Sequence, residues 1–152
     1  MISRRHLMKI GLALPAALAL PGVASAASAR IFNTATLAIH GYDPVGYFSD
    51  GKAVEGTDEY RLKWMGVIWR FASLDNLAAF ESNPRGFAPQ YGGYCAFAMA
   101  QGSIATSVPE AWTIYQDRLY LNYSKSVRRR WKKDIAGYVD AADTHWPGIL
   151  DS

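Results

Sequence analysis

The chain has 152 residues, of which 16 are Lys or Arg and 13 are Asp or Glu, and it contains one cysteine. A single cysteine excludes an internal disulfide. The excess of basic residues lies at the N terminus, in Arg4, Arg5 and Lys9, so residues 27–152 contain 13 basic and 13 acidic residues. The sequence pI of 9.0 is therefore no indication of a nucleic-acid partner.

The N terminus has the pattern of an export signal. Arg4-Arg5 precedes an apolar run over residues 10–20, and Ala24-Ser25-Ala26 has the A-x-A form of a cleavage site, with Ala27-Ser28-Ala29 as a second such site. The apolar run is too short to cross about 30 Å of hydrocarbon. We therefore expect a twin-arginine signal peptide over residues 1–26 and a periplasmic protein. The remaining chain is long enough for one domain and has no expected membrane span.

The first predicted elements are a strand, a turn and a hairpin. Residues 34–39 are mostly apolar and predict a short strand. Pro44 disfavours a helical conformation at Asp43, so a turn or the first turn of a helix is expected there. Polar and apolar side chains alternate on either side of Met65-Gly66, and this pattern predicts a β-hairpin over residues 59–72.

Short helices and a second hairpin follow. Ser73 can cap a helix through residues 76–80, and we expect a second short helix over residues 96–101, ending at Gly102. Two apolar runs flank Gln116-Asp117 and predict a hairpin over residues 111–123.

The C-terminal part has the spacing of helices. Ser124 can cap a helix in which Val127, Trp131 and Ile135 recur at intervals of four residues, and a last helix is expected to end at Pro147. The predicted fold class is therefore α+β. We expect a small antiparallel sheet built from two hairpins, packed by short helices and followed by C-terminal helices.

The stretch from Gln90 to Met99 lies between the two predicted hairpins. It contains two adjacent glycines, three aromatic residues and the cysteine. Glycines allow close approach of the backbone, so the neighbouring tyrosines could line a small pocket. The alternative is that these side chains fill the core. The candidate ligand-binding residues are Tyr91, Gly93, Tyr94 and Cys95, with Tyr42 and Asp43 as neighbours.

A metal site is an alternative interpretation of the same stretch. If residues 95–99 are helical, the sulfur atoms of Cys95 and Met99 share one face. A thiolate and a thioether suit Cu(I), and His40 or His145 could complete the site. The competing interpretation is that both sulfurs pack in the core beside the aromatic residues. Copper is therefore a candidate cofactor, and a metal ion or a small molecule is a candidate partner.

A thiol-dependent enzyme is the third interpretation. A nucleophilic Cys95 would need a base close by, and the sequence identifies none. The chain also lacks a G-x-S-x-G motif, a phosphate-binding loop and a Cys-x-x-Cys pair. These absences favour a non-catalytic binding module over an enzyme.

Several motifs occur together in the order found in one known family. They are Asp43-Pro44-Val45, Trp69-Arg70-Phe71-Ala72-Ser73, Phe80, Asn83-Pro84 and Tyr91-Gly92-Gly93-Tyr94-Cys95. With these motifs the chain resembles the YHS domain family over residues 36–147, in particular its exported members that open with Gly-Tyr-Asp-Pro-Val. The resemblance implies one small YHS-like α+β domain over residues 27–152 and a link to metal handling, copper in particular.

The chain departs from the metal-binding members of that family at three positions. Those members look like Asp-Pro-Val-Cys-Gly-Met and Phe-Cys-Ser-x-x-Cys, whereas Gly46, Ala72 and Asn76 stand here at the cysteine positions. The three missing thiolates would have been soft metal ligands. Cys95 is not one of these positions, so the resemblance assigns it no metal.

Overall fold

The computed structural model describes residues 28–152, and the predicted signal peptide lies outside this range. Across the described residues, no helix combines the length and the hydropathy needed to span a bilayer. Strands and helices alternate along the chain and end in two helices, which confirms the mixed α+β class. The strands are β1 (Asn33–Thr34), β2 (Leu37–Ala38), β3 (Thr57–Trp64), β4 (Val67–Phe71), β5 (Val108–Tyr115) and β6 (Arg118–Asn122). The helices are α1 (Gly46–Ser49), α2 (Leu74–Ser82), α3 (Pro84–Phe87), α4 (Ala96–Ala100), α5 (Lys125–Trp131) and α6 (Ile135–His145), with 3₁₀ turns at Ile39–Gly41, Gln90–Gly93 and Gly148–Asp151.

The two predicted hairpins are present, and they belong to two different sheets. The β3–β4 hairpin lies in a four-stranded sheet of order β1-β2-β4-β3, whereas β5 and β6 form a separate two-stranded sheet within residues 28–152. The four-stranded sheet contains one parallel pair, in which Leu37 of β2 lies opposite Ile68 of β4. The predicted strand over residues 34–39 is divided into β1 and β2 by a turn at Ala35 and Thr36, both of which have positive φ.

Both hairpins close through two-residue turns with positive φ at each central position. Met65 and Gly66 have φ of 50° and 81°, and Gln116 and Asp117 have φ of 48° and 57°. This is the turn geometry that matches the right-handed twist of paired strands. The two turns bring the tips of the hairpins, including Met65 and Arg118, to one side of the molecule, where both border the same cleft.

Polar side chains cap the helices at the expected places. The Ser73 hydroxyl accepts a hydrogen bond from the Asn76 amide at 3.1 Å, and the Ser124 hydroxyl accepts one from the Val127 amide at 3.1 Å. Each bond satisfies one of the amide groups that a helix N terminus leaves without a partner. The serines therefore determine where α2 and α5 begin.

Strand β6 separates two apolar clusters. Leu119 and Leu121 pack with the core of the four-stranded sheet, which includes Trp69 and Phe80. Tyr120 points to a second cluster around Met99, Trp131 and the central tyrosines. Successive side chains of a strand point to opposite faces, so a single buried strand supplies side chains to both clusters. The stretch from Gln90 to Met99 lies on the side of the second cluster.

Candidate functional site

The residues before Cys95 form a left-handed turn. Tyr91, Gly92 and Gly93 have φ of 56°, 61° and 84° in succession. Glycine adopts this region freely, but a tyrosine does so only where surrounding contacts impose it. The turn is therefore held by the tertiary structure rather than by its own sequence.

The backbone around Gly92 explains why glycine is required there. The Gly92 carbonyl accepts a hydrogen bond from the Phe32 amide at 2.9 Å. A Cβ atom at Gly92 would lie 2.0 Å from the Arg30 carbonyl oxygen, a distance that no side chain tolerates. The next residue, Gly93, uses its carbonyl to accept from the Ser107 hydroxyl. The turn is thus clamped between the N-terminal segment and the start of β5.

The hydroxyl groups of both tyrosines in the turn region already have protein partners. Tyr91 donates to Oδ1 of Asp143 at 2.9 Å, and Tyr94 donates to the Ala29 carbonyl at 2.7 Å. Burial raises the pKa of both hydroxyls, and for Tyr91 the hydrogen bond to Asp143 raises the pKa further. The tyrosines therefore fasten the turn to α6 and to the N-terminal segment.

Cys95 lies inside the protein, where its thiol has two partners. Its exposed fraction is 1%. As the N-cap of α4, its Sγ accepts from the Ala98 amide at 3.5 Å and donates to Oδ1 of Asn122 at 3.5 Å. The same Asn122 oxygen accepts from the Phe97 amide at 3.0 Å. The thiol and the amide oxygen together anchor the start of α4 to β6.

Met99 and His40, two further residues of the copper hypothesis, have separate surroundings. Met99 is fully buried in the second apolar cluster. His40 contacts the Ser107 carbonyl through Nε2 at 3.0 Å and the Thr34 hydroxyl through Nδ1 at 3.3 Å. Because a carbonyl only accepts, Nε2 carries the hydrogen, and both ring nitrogens are in use. Within residues 28–152 no cluster of three or more His, Cys, Asp or Glu side chains could hold a metal ion.

Asp43 joins two distant parts of the first apolar cluster. It is 0% exposed, and its Oδ1 accepts from the Val45 and Gly46 amides at 2.8 and 3.3 Å. Its Oδ2 accepts from the Ala72 amide at 2.8 Å and from Nδ2 of Asn76 at 2.7 Å. Four donors compensate the buried carboxylate, which links the start of α1 to the start of α2.

Tyr42 lies in a different environment from its neighbour Asp43. Its hydroxyl is 3.4 Å from a carboxylate oxygen of Glu55 and 3.4 Å from one of Glu110. Partial burial and the nearby charge of Glu110 raise the pKa of this hydroxyl. None of the hydrogen bonds of Tyr42 or Asp43 reaches the stretch from Gln90 to Met99, so the six candidate residues do not form one site.

A cleft of about 240 Å³ opens beside Tyr91 and Gly92. We call it the hairpin-tip cleft, because Trp64 and Met65 at one hairpin tip and Arg118 at the other line it. The remaining walls include Arg30, Arg85, Gln90 and Trp146. Of the predicted ligand-binding residues, only Tyr91 lines this cleft, whereas Gly93, Tyr94 and Cys95 face the interior.

The arginines are the part of this cleft that sequence reasoning missed. Arg30 precedes β1, Arg85 lies in α3, and Arg118 begins β6, so no local motif contains them. The turn signals at Met65-Gly66 and Gln116-Asp117 could have indicated part of the cleft, because they mark the hairpin tips that line it. Only the folded chain brings the three arginines together.

Comparison of this chain with family models, with curated proteins and with solved structures finds no match.

Proposed function

We propose that this protein is an exported, non-catalytic binding module with a YHS-like domain, and that the hairpin-tip cleft is its ligand site. One observation carries the proposal. The strained turn at Tyr91–Gly93 forms the edge of an open cleft. In contrast Cys95 and Asp43, the candidate side chains best suited to catalysis or metal binding, are buried and hydrogen-bonded. Backbone strain that is imposed by tertiary contacts is characteristic of ligand sites.

The YHS-like part of the proposal is supported by the position of Asp43. Gly46, Ala72 and Asn76, which stand where the metal-binding members of that family have cysteines, all donate hydrogen bonds to this one carboxylate. Three positions separated by up to thirty residues of chain thus meet at a single point, as the ligands of one metal would. In this chain an acidic hydrogen-bond network occupies that point.

The sequence of residues 1–26 supports export. The contacts of the residues that follow it favour one of the two cleavage sites. The Ala29 carbonyl accepts the hydrogen bond of Tyr94, and the Ser28 amide donates to the Leu150 carbonyl at 3.2 Å. Cleavage after Ala26 retains both contacts, whereas cleavage after Ala29 removes both. We therefore expect the mature chain to begin at Ala27.

Native mass spectrometry of the full chain, expressed with its own N terminus and recovered from the periplasm, tests the proposal. The expected species is residues 27–152 with a non-covalent adduct that denaturation releases. Met65→Glu and Met65→Lys place opposite charges in the cleft, so at least one of them should remove the adduct whatever charge the adduct carries. Leu74→Glu and Leu74→Lys are the matched controls, because Met65 and Leu74 are both exposed, at 39% and 61%, and Leu74 does not line the cleft. Bare polypeptide alone, or an adduct retained by both Met65 variants, would contradict the proposal.

A further inference from the structure

The hairpin-tip cleft concentrates positive charge, although residues 27–152 have no net formal charge. Arg30, Arg85 and Arg118 line it, and no Asp or Glu does. The ion pairs found within residues 28–152 join Asp58 to Arg61 and to Arg70, so none of the three cleft arginines forms an ion pair with a carboxylate of the described chain. Since residues 27–152 carry equal numbers of acidic and basic residues, this positive charge is local. A concave site lined by one sign of charge concentrates ions of the other sign.

Two of the arginines are oriented by cleft neighbours. Nη1 of Arg118 donates to Oε1 of Gln90 at 3.2 Å. The guanidinium carbon of Arg85 lies 5.8 Å from the centre of the Trp64 ring, a distance at which a cation is attracted to an indole face. Each contact uses part of a guanidinium and leaves further N–H groups for a ligand. Guanidinium groups match the planar geometry of carboxylates and phosphates.

The rest of the cleft wall is aromatic and apolar. Trp64 and Trp146 contribute indole rings, and Trp146 packs edge-on against Tyr91 with ring centres 6.2 Å apart. Met65 is 39% exposed at the hairpin tip, so its thioether is accessible to a ligand in the cleft. Flat rings and an exposed thioether favour a flat apolar ligand body. A bare inorganic ion would leave this wall in contact with water.

We infer that the hairpin-tip cleft binds an organic anion, in which a carboxylate or phosphate head group contacts the arginines and a flat apolar body packs against Trp64, Met65 and Trp146. This inference rests on the proposed binding function and adds the chemical class of the ligand. Asp117 lines an adjoining depression that shares Arg85 and Arg118 with the cleft. Its negative charge repels an anionic ligand on that side of the two arginines.

A matched set of probes tests the inference on the protein recovered from the periplasm and freed of any adduct by refolding. The probes are phenylacetate, phenyl phosphate, the neutral phenylacetamide, the cationic phenethylamine and inorganic phosphate, measured by calorimetry or by thermal shift. We expect the two aromatic anions to bind at least about tenfold more tightly than the amide, since charge-assisted hydrogen bonds are lost in the amide. We expect no binding of the amine and weakening of anion binding by added salt.

Variants locate the binding. Arg85→Gln with Arg118→Gln should weaken phenyl phosphate at least about tenfold, whereas Arg129→Gln, an exposed arginine of α5 that does not line the cleft, should have no effect. Asp117→Asn should strengthen anion binding about twofold by removing a competing charge. Circular dichroism of each variant verifies that the fold is retained.

The outcomes separate the two proposals. Equal affinity for the amide, tighter binding of the amine, or equal weakening by Arg129→Gln would overturn the anionic class. Inorganic phosphate binding as tightly as phenyl phosphate would overturn the flat apolar body. If none of the five probes binds, the inference is overturned as well. The presence or absence of an adduct in native mass spectrometry then decides the binding function independently. A cationic adduct lost in Met65→Lys, or a neutral adduct lost in either Met65 variant, would sustain the binding module and refute the anion.

Discussion

Within the stretch from Gln90 to Met99, the first residues border an open cleft, whereas the last five pack around Asn122 and the second apolar cluster. The open end contains an amide, a tyrosine ring and a glycine. The closed end contains the thiol and the thioether, the two groups that attract attention in the sequence. The comparison teaches that contact with the cleft, and not the reactivity of a residue type, decides which end can meet a ligand.

The two ends also differ in what holds them. The closed end is fixed by side-chain contacts, in which Asn122 accepts from both the Cys95 thiol and the Phe97 amide. The open end is fixed by its backbone, through the hydrogen bond from Phe32 and the close approach of Arg30 to Gly92, and by the Tyr91 hydroxyl, which donates to Asp143. Tyr91 is 4% exposed, whereas the Gln90 side chain is half-buried. Substitution of Gln90 should therefore affect binding more than stability.

The largest expected contrast compares two methionines. Met99→Ala removes a fully buried side chain and should lower the free energy of unfolding by about 2–5 kcal/mol. Met65→Ala removes one exposed at the cleft and should change it by less than about 0.5 kcal/mol. Urea denaturation of both variants measures the difference. Equal losses would show that the cleft wall and the closed end do not differ in how much their side chains stabilise the fold.

A smaller contrast compares two amides. Asn122→Ala leaves the Phe97 amide and the Cys95 thiol without their acceptor, and we expect it to cost about 1–3 kcal/mol of unfolding free energy. Gln90→Ala should cost under about 0.5 kcal/mol, because Gln90 accepts only from the exposed Arg118. Thermal and urea unfolding test both values, and a neutral Asn122→Ala would argue against the closed end as described.

A smaller difference in stability is expected from the close approach of the Gly92 backbone to Arg30. Gly92 and Gly51 have similar φ, of 61° and 64°, but a Cβ at Gly51 would meet nothing within 4 Å. Gly92→Ala should therefore destabilise the protein by about 1–2 kcal/mol more than Gly51→Ala, which carries only the cost of positive φ. We also expect faster proteolysis after Arg30 in Gly92→Ala, since the N-terminal segment must move. Equal destabilisation by the two variants would contradict the clamp.

The smallest effect concerns high pH. Burial, followed by the Asp143 hydrogen bond, raises the pKa of Tyr91 above its ordinary value of 10.0. An unfolded tyrosine loses its proton above pH 10 whereas folded Tyr91 keeps it, so its contribution to stability is complete below pH 10 and declines as the pH rises further. Phenolate absorbance should show Tyr91 ionising at a higher pH than free tyrosine in water. Asp143→Asn should lower the Tyr91 pKa only in part, because burial is the larger cause.

Local features of the fold were predictable because they depend on neighbouring residues. The turn at Met65-Gly66 follows from the alternation on both sides of it, and the starts of α2 and α5 follow from the capping hydroxyls of Ser73 and Ser124. The division of the hairpins between two sheets was not predictable in this way. It depends on the pairing of Leu37 with Ile68, and a pattern among neighbouring residues cannot indicate a contact between positions so far apart in the sequence.

The sequence by itself determined the α+β class, the hairpins and the helix caps, since side-chain periodicity and glycine conformation act over a few residues. It also identified the stretch from Gln90 to Met99 as the place to look for a site. Only the tertiary structure decided which end of that stretch is open. It buried Cys95 against Asn122, used Asp43 as a link between helices, and gathered Arg30, Arg85 and Arg118 at one cleft. These outcomes depend on which surfaces exclude water when distant segments pack together, and that is a property of the whole fold.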